Sequence, residues 1–202
     1  KFAVTNSTLK VAQIYCSTLY HYQDGWYFSF LQQSTNTVFT FNNSNVELAF
    51  PPGSTYSLCS GLYFASNATK NVVLVDGPNS VFKTQNLMIA GKTNSFEMAD
   101  GELYVYRYLY TGTEYAGGRI GNTVKFSGGD SKIKRIITSH GTNSTIEVTS
   151  TADVEVSDEI YLGGLGSKLK VSGGKLALEK TDSVRMLDSD TSYEITGGAV
   201  TS

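Results

Sequence analysis

The sequence predicts an all-β protein built mainly as a parallel β-solenoid, and a recurring six-residue motif is the main reason. The motif reads apolar, charged, apolar, hydroxyl and then two small residues, and it occurs four times after Thr123. Its third positions are Phe126, Val148, Val171 and Ile195, which recur at nearly constant spacing. One short alternating strand per copy, repeated with a period in the low twenties, is typical of stacked coils.

Each copy of the motif supplies one strand and one corner of a coil. Alternation places Leu169 and Val171 in the interior and Lys170 in water. The glycine pair that follows suits a bend, because glycine accepts positive φ angles. Further strand segments are expected at residues 154–156, 160–162, 176–178 and 184–186.

The motif also predicts a polar feature on one edge of the coils. The hydroxyl positions are expected to stack into a ladder along the solenoid axis. These residues are Ser127, Thr149, Ser172 and Thr196.

An antiparallel sandwich or meander is the alternative architecture. Short alternating strands separated by glycine turns also occur in such folds. The common register of all six motif positions favours the solenoid.

The chain divides into two predicted regions. Residues 96–105 match residues 169–178 in apolar pattern, so the solenoid region is assigned to residues 71–202, with the array expected to continue past Ser202. Residues 1–70 do not follow the repeat, and Asp24-Gly25 is a hairpin signal. This first region is predicted to be an antiparallel β cap or small β domain.

Composition limits the classes of partner. A formal net charge of −2 gives no electrostatic footprint for nucleic acid. The sequence has no apolar run of 18 or more residues, so membrane insertion is not expected. Only 17% of residues are charged, while uncharged polar residues are abundant, which indicates an extracellular, cell-surface or virion protein.

The two cysteines, Cys16 and Cys59, both lie in the first region. In an oxidising compartment they would close a long loop as a disulfide, and in a reducing one they would be buried free thiols. The sequence leaves both states open.

The strongest candidate binding surface is a row of tyrosines. If Leu103, Val105 and Leu109 point inward, one outer face carries every second residue of the strand. Tyrosines suit sugar rings or a protein partner, because they combine a flat apolar area with a polar tip. Packing against another part of the protein or a neighbouring chain is the alternative. The row consists of Tyr104, Tyr106, Tyr108 and Tyr110.

A second candidate lies near the predicted hairpin. Tyr20, Tyr22 and Trp26 stand beside an amide and a carboxylate, a combination that glycan sites use. The same composition fits the core of a hairpin.

Catalytic and metal signals are weak. His21 and His140 are the only histidines and belong to no nucleophile motif. No histidine or cysteine cluster has metal-ligand spacing. Pairs of carboxylates across coils could hydrolyse a glycosidic bond, but outward acids are first of all solvated surface. We therefore assign no catalytic residue, metal ligand or cofactor.

The repeat resembles those of known attachment proteins. The segment from Leu169 to Leu176, read as Val-x-Ser-Gly-Gly-x-x-Leu, resembles the repeats of bacterial autotransporter adhesin passengers. It is also similar to the β-helical shafts of bacteriophage tail fibres and tailspikes. The resemblance covers about residues 96–202 and transfers no functional residue.

The resemblance and the composition together imply a function in attachment. The expected protein is a non-enzymatic extracellular or virion attachment protein that binds a cell-surface glycan or surface protein. The fibre resemblance implies a homotrimer, and the passenger resemblance a monomer. A tailspike-like polysaccharide hydrolase or lyase and a purely structural shaft are the alternatives.

Overall fold

The computed structural model describes residues 2–11, 28–31, 35–48, 61–64, 67–112, 120–138, 141–181, 183–188 and 190–202. All regular structure in these ranges is β. The same ranges contain no helix of the length and apolar character needed to cross a bilayer.

Short strands lie on one side of a coil, whereas the longer strands, the first of which is Val81–Ile89, extend over two sides. Their bounds are β1 (Phe2–Thr5), β2 (Thr8–Val11), β3 (Phe28–Leu31), β4 (Val38–Asn42), β5 (Asn45–Leu48), β6 (Gly61–Phe64), β7 (Val72–Asp76), β8 (Val81–Ile89), β9 (Ser95–Met98), β10 (Glu102–Tyr110), β11 (Thr123–Phe126), β12 (Asp130–Ile137), β13 (Thr145–Val148), β14 (Asp153–Leu162), β15 (Lys168–Leu178), β16 (Val184–Met186) and β17 (Ser192–Thr201).

The strands stack in parallel along three lines, which makes the fold a parallel β-solenoid. The first line contains β1, β4, β7, β9, β11, β13 and the first halves of β15 and β17. The second contains β2, β5, the first halves of β8, β10, β12 and β14, and the second halves of β15 and β17. The third contains β3, β6, the second halves of β8, β10, β12 and β14, and β16.

The predicted register of the motif is confirmed. Phe126 pairs with Val148, Val148 with Val171, and Val171 with Ile195. Met98 pairs with Phe126 one coil earlier. Equivalent apolar residues of successive coils therefore stack on one another along the axis.

The core is a column of apolar side chains inside the coils. In β11, for example, alternating residues face inward, which buries the pair Val124 and Phe126. Phe82 contacts Phe41 and Phe96 edge to face, with ring centroids 5.6 and 5.9 Å apart. Such edge-to-face contacts between neighbouring coils add to the burial of apolar area.

The region before Asn71 differs from the expected antiparallel arrangement. In the described strands of this region, β1 pairs with β4 and β2 with β5, all in parallel. β4 in turn pairs with β7 across the predicted boundary between the two regions. The corner residue Asn43, with φ of 45°, bends the chain into the next side of the coil instead of reversing it.

The first part of the repeat is not recognisable in the sequence, because the residues that pair between neighbouring coils are farther apart along the chain there. Phe39 pairs with Val73, whereas in a later coil Phe126 pairs with Val148, which is much closer along the chain. A coil of this greater length breaks the period by which the later copies are recognised. The Asp24-Gly25 hairpin that the sequence predicts lies outside the described residues.

The buried polar ladder lies at a different position from the one predicted. Each of Asn71, Asn94 and Asn122 stands just before a first-line strand and is fully buried. The Asn94 Oδ1 accepts from the backbone N of Asn71 at 2.9 Å, and Asn122 Oδ1 accepts from the backbone N of Asn94 at 3.0 Å. Ser144 and Ser167 continue the column in later coils, where Ser167 Oγ accepts from the backbone N of Ser144.

The motif hydroxyls take other partners. The Ser127 hydroxyl donates to Glu97 Oε1 at 2.8 Å, and Thr149 bonds Ser150 at 3.1 Å. Ser172 pairs in register with Gly197, not with Thr196. The reason is that these residues lie at the corners, where the coils differ slightly in length.

Opposite charges alternate on the outer side of the first line. Glu97, Lys125, Glu147 and Lys170 stack in consecutive coils. Lys125 Nζ lies 3.0 Å from Glu97 Oε1, and Lys170 Nζ lies 3.9 Å from Glu147 Oε1. A slip by one coil would place like charges opposite each other, so the alternation favours the native register.

Candidate functional site: a tyrosine and arginine surface on the third line

The tyrosine row of β10 is less continuous than the sequence suggested. Leu103, Val105 and Leu109 are buried, as predicted. The register against β8 and β12 shifts between Val105 and Tyr108, which marks a β-bulge. A bulge bends its strand, so β10 turns there from the second line into the third.

This bend separates the tyrosines into two pairs. The rings of Tyr104 and Tyr106 stack on the second line, with centroids 6.3 Å apart. The rings of Tyr108 and Tyr110 contact each other on the third line at 5.2 Å. Tyr106 stands at the bend and is 49% exposed, whereas the other three are half-buried. The row therefore forms two short aromatic surfaces instead of one flat face.

The first pair is tied to charged neighbours on the second line. The Tyr104 hydroxyl donates to Glu102 Oε2 at 2.8 Å, and the Lys83 ammonium lies 5.5 Å from the Tyr104 ring centroid. The hydrogen bond to Glu102 raises the pKa of Tyr104. The polar tip of this tyrosine thus has an internal partner.

The neighbouring strands bend at the same place. Lys134 of β12 is exposed and lies opposite Tyr106 and Arg107 of β10 on one side. On its other side it lies opposite Ser157 and Asp158 of β14. Stacked bulges thus create an outer edge between the second and third lines, and long side chains project from it.

Arginines and tyrosines alternate along the axis beside this edge. The Arg107 guanidinium lies 5.4 Å from the Tyr108 ring centroid, and the Arg135 guanidinium lies at the same distance from that ring. Arg135 is also 6.0 Å from the ring of Tyr161, and Arg185 is 5.5 Å from it. Each distance falls within the range of a cation–π contact.

We call this set the tyrosine–arginine surface. It extends over β10, β12, β14 and β16, which are neighbours in the third line. Its members are Tyr106, Arg107, Tyr108, Tyr110, Arg135, Tyr161 and Arg185.

Two adjacent carboxylates hold Arg135 and Arg185 in place. Arg135 Nη2 lies 2.5 Å from Asp158 Oδ2 and 2.9 Å from Glu159 Oε1. Arg185 Nε lies 3.5 Å from Glu159 Oε2, and Lys180 forms an ion pair with Asp158. Since carboxylates on one strand fix cations on two others, the surface is ordered before any ligand arrives.

The ionisation of the cluster follows from these contacts. Hydrogen bonds from Lys180 and Arg135 lower the pKa of Asp158. Burial opposes the charge of Arg135, but its hydrogen bond to Asp158 and the two nearby carboxylates raise its pKa overall. A hydrogen bond to Glu159 raises the pKa of Tyr161. Asp158 and Arg135 therefore stay ionised at neutral pH, and Tyr161 stays protonated.

The acids considered for hydrolysis are mostly engaged in structural contacts. Asp153 pairs with Lys175 at 3.2 Å, and Asp100 accepts from the Gly101 backbone at 2.8 Å. The low pKa of Asp158 is unsuited to a general acid. In the ranges that the structure describes, no group of three or more potential metal-ligating side chains is found.

One carboxylate pair does cross neighbouring coils. A hydrogen bond between Glu179 and Glu155, together with their mutual repulsion, raises the pKa of Glu179. Lys132 Nζ lies 4.0 Å from Glu155 Oε2. This pair stands on the exposed second line, outside the tyrosine–arginine surface.

The remaining predicted site residues belong to the N-terminal region. Tyr20, Tyr22 and Trp26 lie outside the described residues, as do Cys16 and Cys59. Their predicted roles in ligand binding and disulfide formation stay predictions.

Sequence reasoning missed Arg135, Tyr161 and Arg185. They stand far from the tyrosine row along the chain, and no local pattern connects them. Extending the repeat register would have found them, because Tyr110, Ile137, Tyr161 and Arg185 occupy equivalent positions in successive coils.

The ion pairs of Asp158 predict a dependence of stability on pH. Because its pKa is depressed, the stabilisation is fully present above the ordinary carboxyl value of 3.8 and is lost as pH falls through the folded-state value. In urea unfolding, the stability advantage of wild type over Asp158→Asn should shrink below about pH 4. Asp130→Asn, at an exposed position, is the control. An Asp158→Asn difference that is constant from neutral pH to about pH 2.5 would contradict this assignment.

Comparisons of the chain with family models, with curated proteins and with solved structures found no match.

Proposed function

We propose that this chain is a non-enzymatic attachment protein of the extracellular space, a cell surface or a virion, and that its tyrosine–arginine surface binds a glycan or a surface protein. The observation that carries the proposal is the alternation of guanidinium groups and tyrosine rings over neighbouring coils. Distances of 5.4 to 6.0 Å join each successive pair from Arg107 to Arg185.

The physical chemistry of such a surface suits binding more than folding. Tyrosine rings offer apolar area and a hydroxyl at a low cost in side-chain entropy. Arginine fixed by carboxylates keeps further N–H donors for a ligand without having to be ordered by that ligand. A stacked parallel scaffold holds these groups at the inter-strand spacing of about 4.8 Å.

The proposal predicts that ring removal weakens attachment without unfolding the protein. Tyr108→Ser combined with Tyr161→Ser should weaken binding about tenfold or more, because each ring contributes about 0.5–1.5 kcal/mol beyond its area. The measurement is binding of the fluorescently labelled protein to a printed glycan array and to a panel of intact cells. Tyr193→Ser, which removes an exposed tyrosine of β17, is the matched control.

Two outcomes would contradict the proposal. One is equal binding of the double variant and the control on every surface that wild type binds. The other is loss of binding that is accompanied by loss of the β-sheet circular dichroism of wild type.

The structural-shaft alternative makes a different prediction for the same variants. If the surface is an intersubunit contact, wild type should be a trimer with about three times the chain mass of 21.9 kDa. The Tyr108→Ser, Tyr161→Ser double variant should then have the mass of a single chain. The molar mass measured by light scattering after gel filtration distinguishes a surface used for attachment from one used for assembly.

An enzyme is the second candidate, and the Glu155–Glu179 pair is the observation that favours it. A carboxyl group with a raised pKa suits the general acid of glycoside hydrolysis, and Glu155 is a second carboxyl group beside it. The two groups are in hydrogen-bonding contact, so a substrate would have to separate them to the distance of about 5 Å or more that this chemistry uses. Release of new reducing ends from a polysaccharide, lost in Glu179→Gln, would support this candidate. Attachment without product release would support the main proposal.

A further inference from the structure

The tyrosine–arginine surface lies in a cationic region of an otherwise acidic chain. Five cations stand on β10, β12 and β16 and just after β15, against two carboxylates of β14 and the exposed carboxylate beside Lys180, which gives a local net charge of two positive units. The whole chain has a formal net charge of −2. The cations are Arg107, Lys134, Arg135, Lys180 and Arg185, and the carboxylates are Asp158, Glu159 and Glu179.

The outermost of these cations face the solvent. The side chains of Lys180 and Arg185 are each 60% exposed, and Lys134 is exposed at the bulge. The two carboxylates are much less accessible, at 16% for Asp158 and 12% for Glu159. An approaching ligand therefore meets the ammonium and guanidinium groups before Asp158 and Glu159, and the exposed acid beside them is Glu179, next to Lys180.

We propose that the ligand of this surface is an acidic polysaccharide whose chain lies along the solenoid axis. This inference rests on the proposed attachment function and names its ligand class. Tyrosine rings pack against the apolar faces of sugar rings, while Lys134, Lys180 and Arg185 pair with carboxylate or sulfate groups. The inter-coil spacing of about 4.8 Å is comparable with the length of one pyranose unit. Lys134 and Arg185 meet acidic groups that are about two sugars apart, because β14, which contributes carboxylates and Tyr161, lies between β12 and β16.

Charge complementarity decides between ligand classes. A neutral glycan would leave the excess positive charge of the surface without a counter-charge, and an apolar protein patch would have to desolvate the exposed cations. An acidic polysaccharide can contact the tyrosines through its sugar rings and the cations through its acidic groups. A single-stranded nucleic acid also combines rings and negative charge, and it is included in the test as a competing outcome.

The experiment is affinity electrophoresis of the full chain in gels cast with one polymer each. The polymers are polygalacturonic acid for carboxylates, heparin for sulfates and dextran as the neutral control, with a single-stranded oligodeoxynucleotide as a separate competitor. We expect retardation by one or both acidic polymers and none by dextran. Retardation should decline between about 50 and 200 mM salt, because exposed charge pairs are screened.

Matched charge variants connect the binding to this surface. Lys134→Gln with Lys180→Gln should weaken binding to the acidic polymer by roughly five- to tenfold, since each exposed charge contact contributes a factor of about two to five. Lys92→Gln with Lys168→Gln removes the same charge at exposed positions on other sides of the coil and should leave binding unchanged.

Several results would overturn the acidic-polysaccharide assignment. These are equal retardation by dextran, tighter binding of the oligonucleotide, no retardation by either acidic polymer, or equal losses in the two charge variants. If binding to cells or neutral glycans still depends on Tyr108 and Tyr161, the attachment function stands and only the ligand class falls.

Discussion

Replacing Asn94 by alanine is expected to lower the free energy of unfolding by about 3–5 kcal/mol. The Asn94 amide makes four hydrogen bonds in a fully buried site. Its Oδ1 accepts from the backbone and side-chain nitrogens of Asn71, and its Nδ2 donates to the carbonyls of Ala68 and Ala90. Alanine would remove the Asn94 partner of the buried Asn71 backbone N and of the Ala90 carbonyl, while the Ala68 carbonyl keeps its hydrogen bond from the Lys92 backbone N. Each buried polar group that loses its partner costs about 1–3 kcal/mol.

Denaturant unfolding followed by far-ultraviolet circular dichroism measures this loss. Asn79→Ala, at an exposed corner, is the control and should change stability by less than about 0.5 kcal/mol. Asn94→Ser should be intermediate, because serine occupies the equivalent positions 144 and 167. Equal stability of the Asn94→Ala and Asn79→Ala variants would show that the polar column does not stabilise the coils.

Replacing Gly129 by alanine is expected to destabilise the protein by about 3–5 kcal/mol, and Gly121 provides a control with the same backbone angle. The two φ angles are 68° and 69°, so both substitutions carry the same conformational cost of about 1–2 kcal/mol. At Gly129, however, an added Cβ would lie 2.3 Å from the Gly101 carbonyl oxygen. At Gly121 the nearest atom is Thr93 Cγ2, at 3.4 Å.

The difference between these two variants isolates the close approach of neighbouring coils. Backbone atoms of the stacked coil cannot move aside as a side chain would, so Gly129→Ala must displace the coils. Thermal and denaturant unfolding of the two variants measure the effect. Similar losses in both would mean that the positive φ angle, and not the coil contact, requires glycine at this corner.

The proposed attachment surface and the contacts that stabilise the fold lie on different parts of the coil. The buried asparagine column and the corner glycines stabilise the stack, while the tyrosine–arginine surface lies on the outside of the third line. Variants of Tyr108 or Lys134 should therefore alter binding with little change in unfolding, whereas variants of Asn94 should do the reverse. This separation makes the binding proposals testable on folded protein.

The sequence determined the repeat where the coils have nearly constant length. Alternation fixed which residues of Leu169, Lys170 and Val171 point inward, because side chains of a strand alternate between its two sides. The same register placed Phe126 under Val148. The pairing of Phe39 with Val73 could not be predicted in this way, because a much longer stretch of chain separates these two residues and the period is lost.

Only the tertiary structure decided the composition of the candidate site. Tyr108, Arg135 and Tyr161 come together because their strands stack, and a local pattern contains no information about contacts between coils. The bulge at Tyr106 and Arg107 likewise depends on how β10 fits β8 and β12, which strict alternation does not reveal. The residue types of each strand are thus a local property of the sequence. The surface that these residues form depends on how the coils stack and where their corners lie.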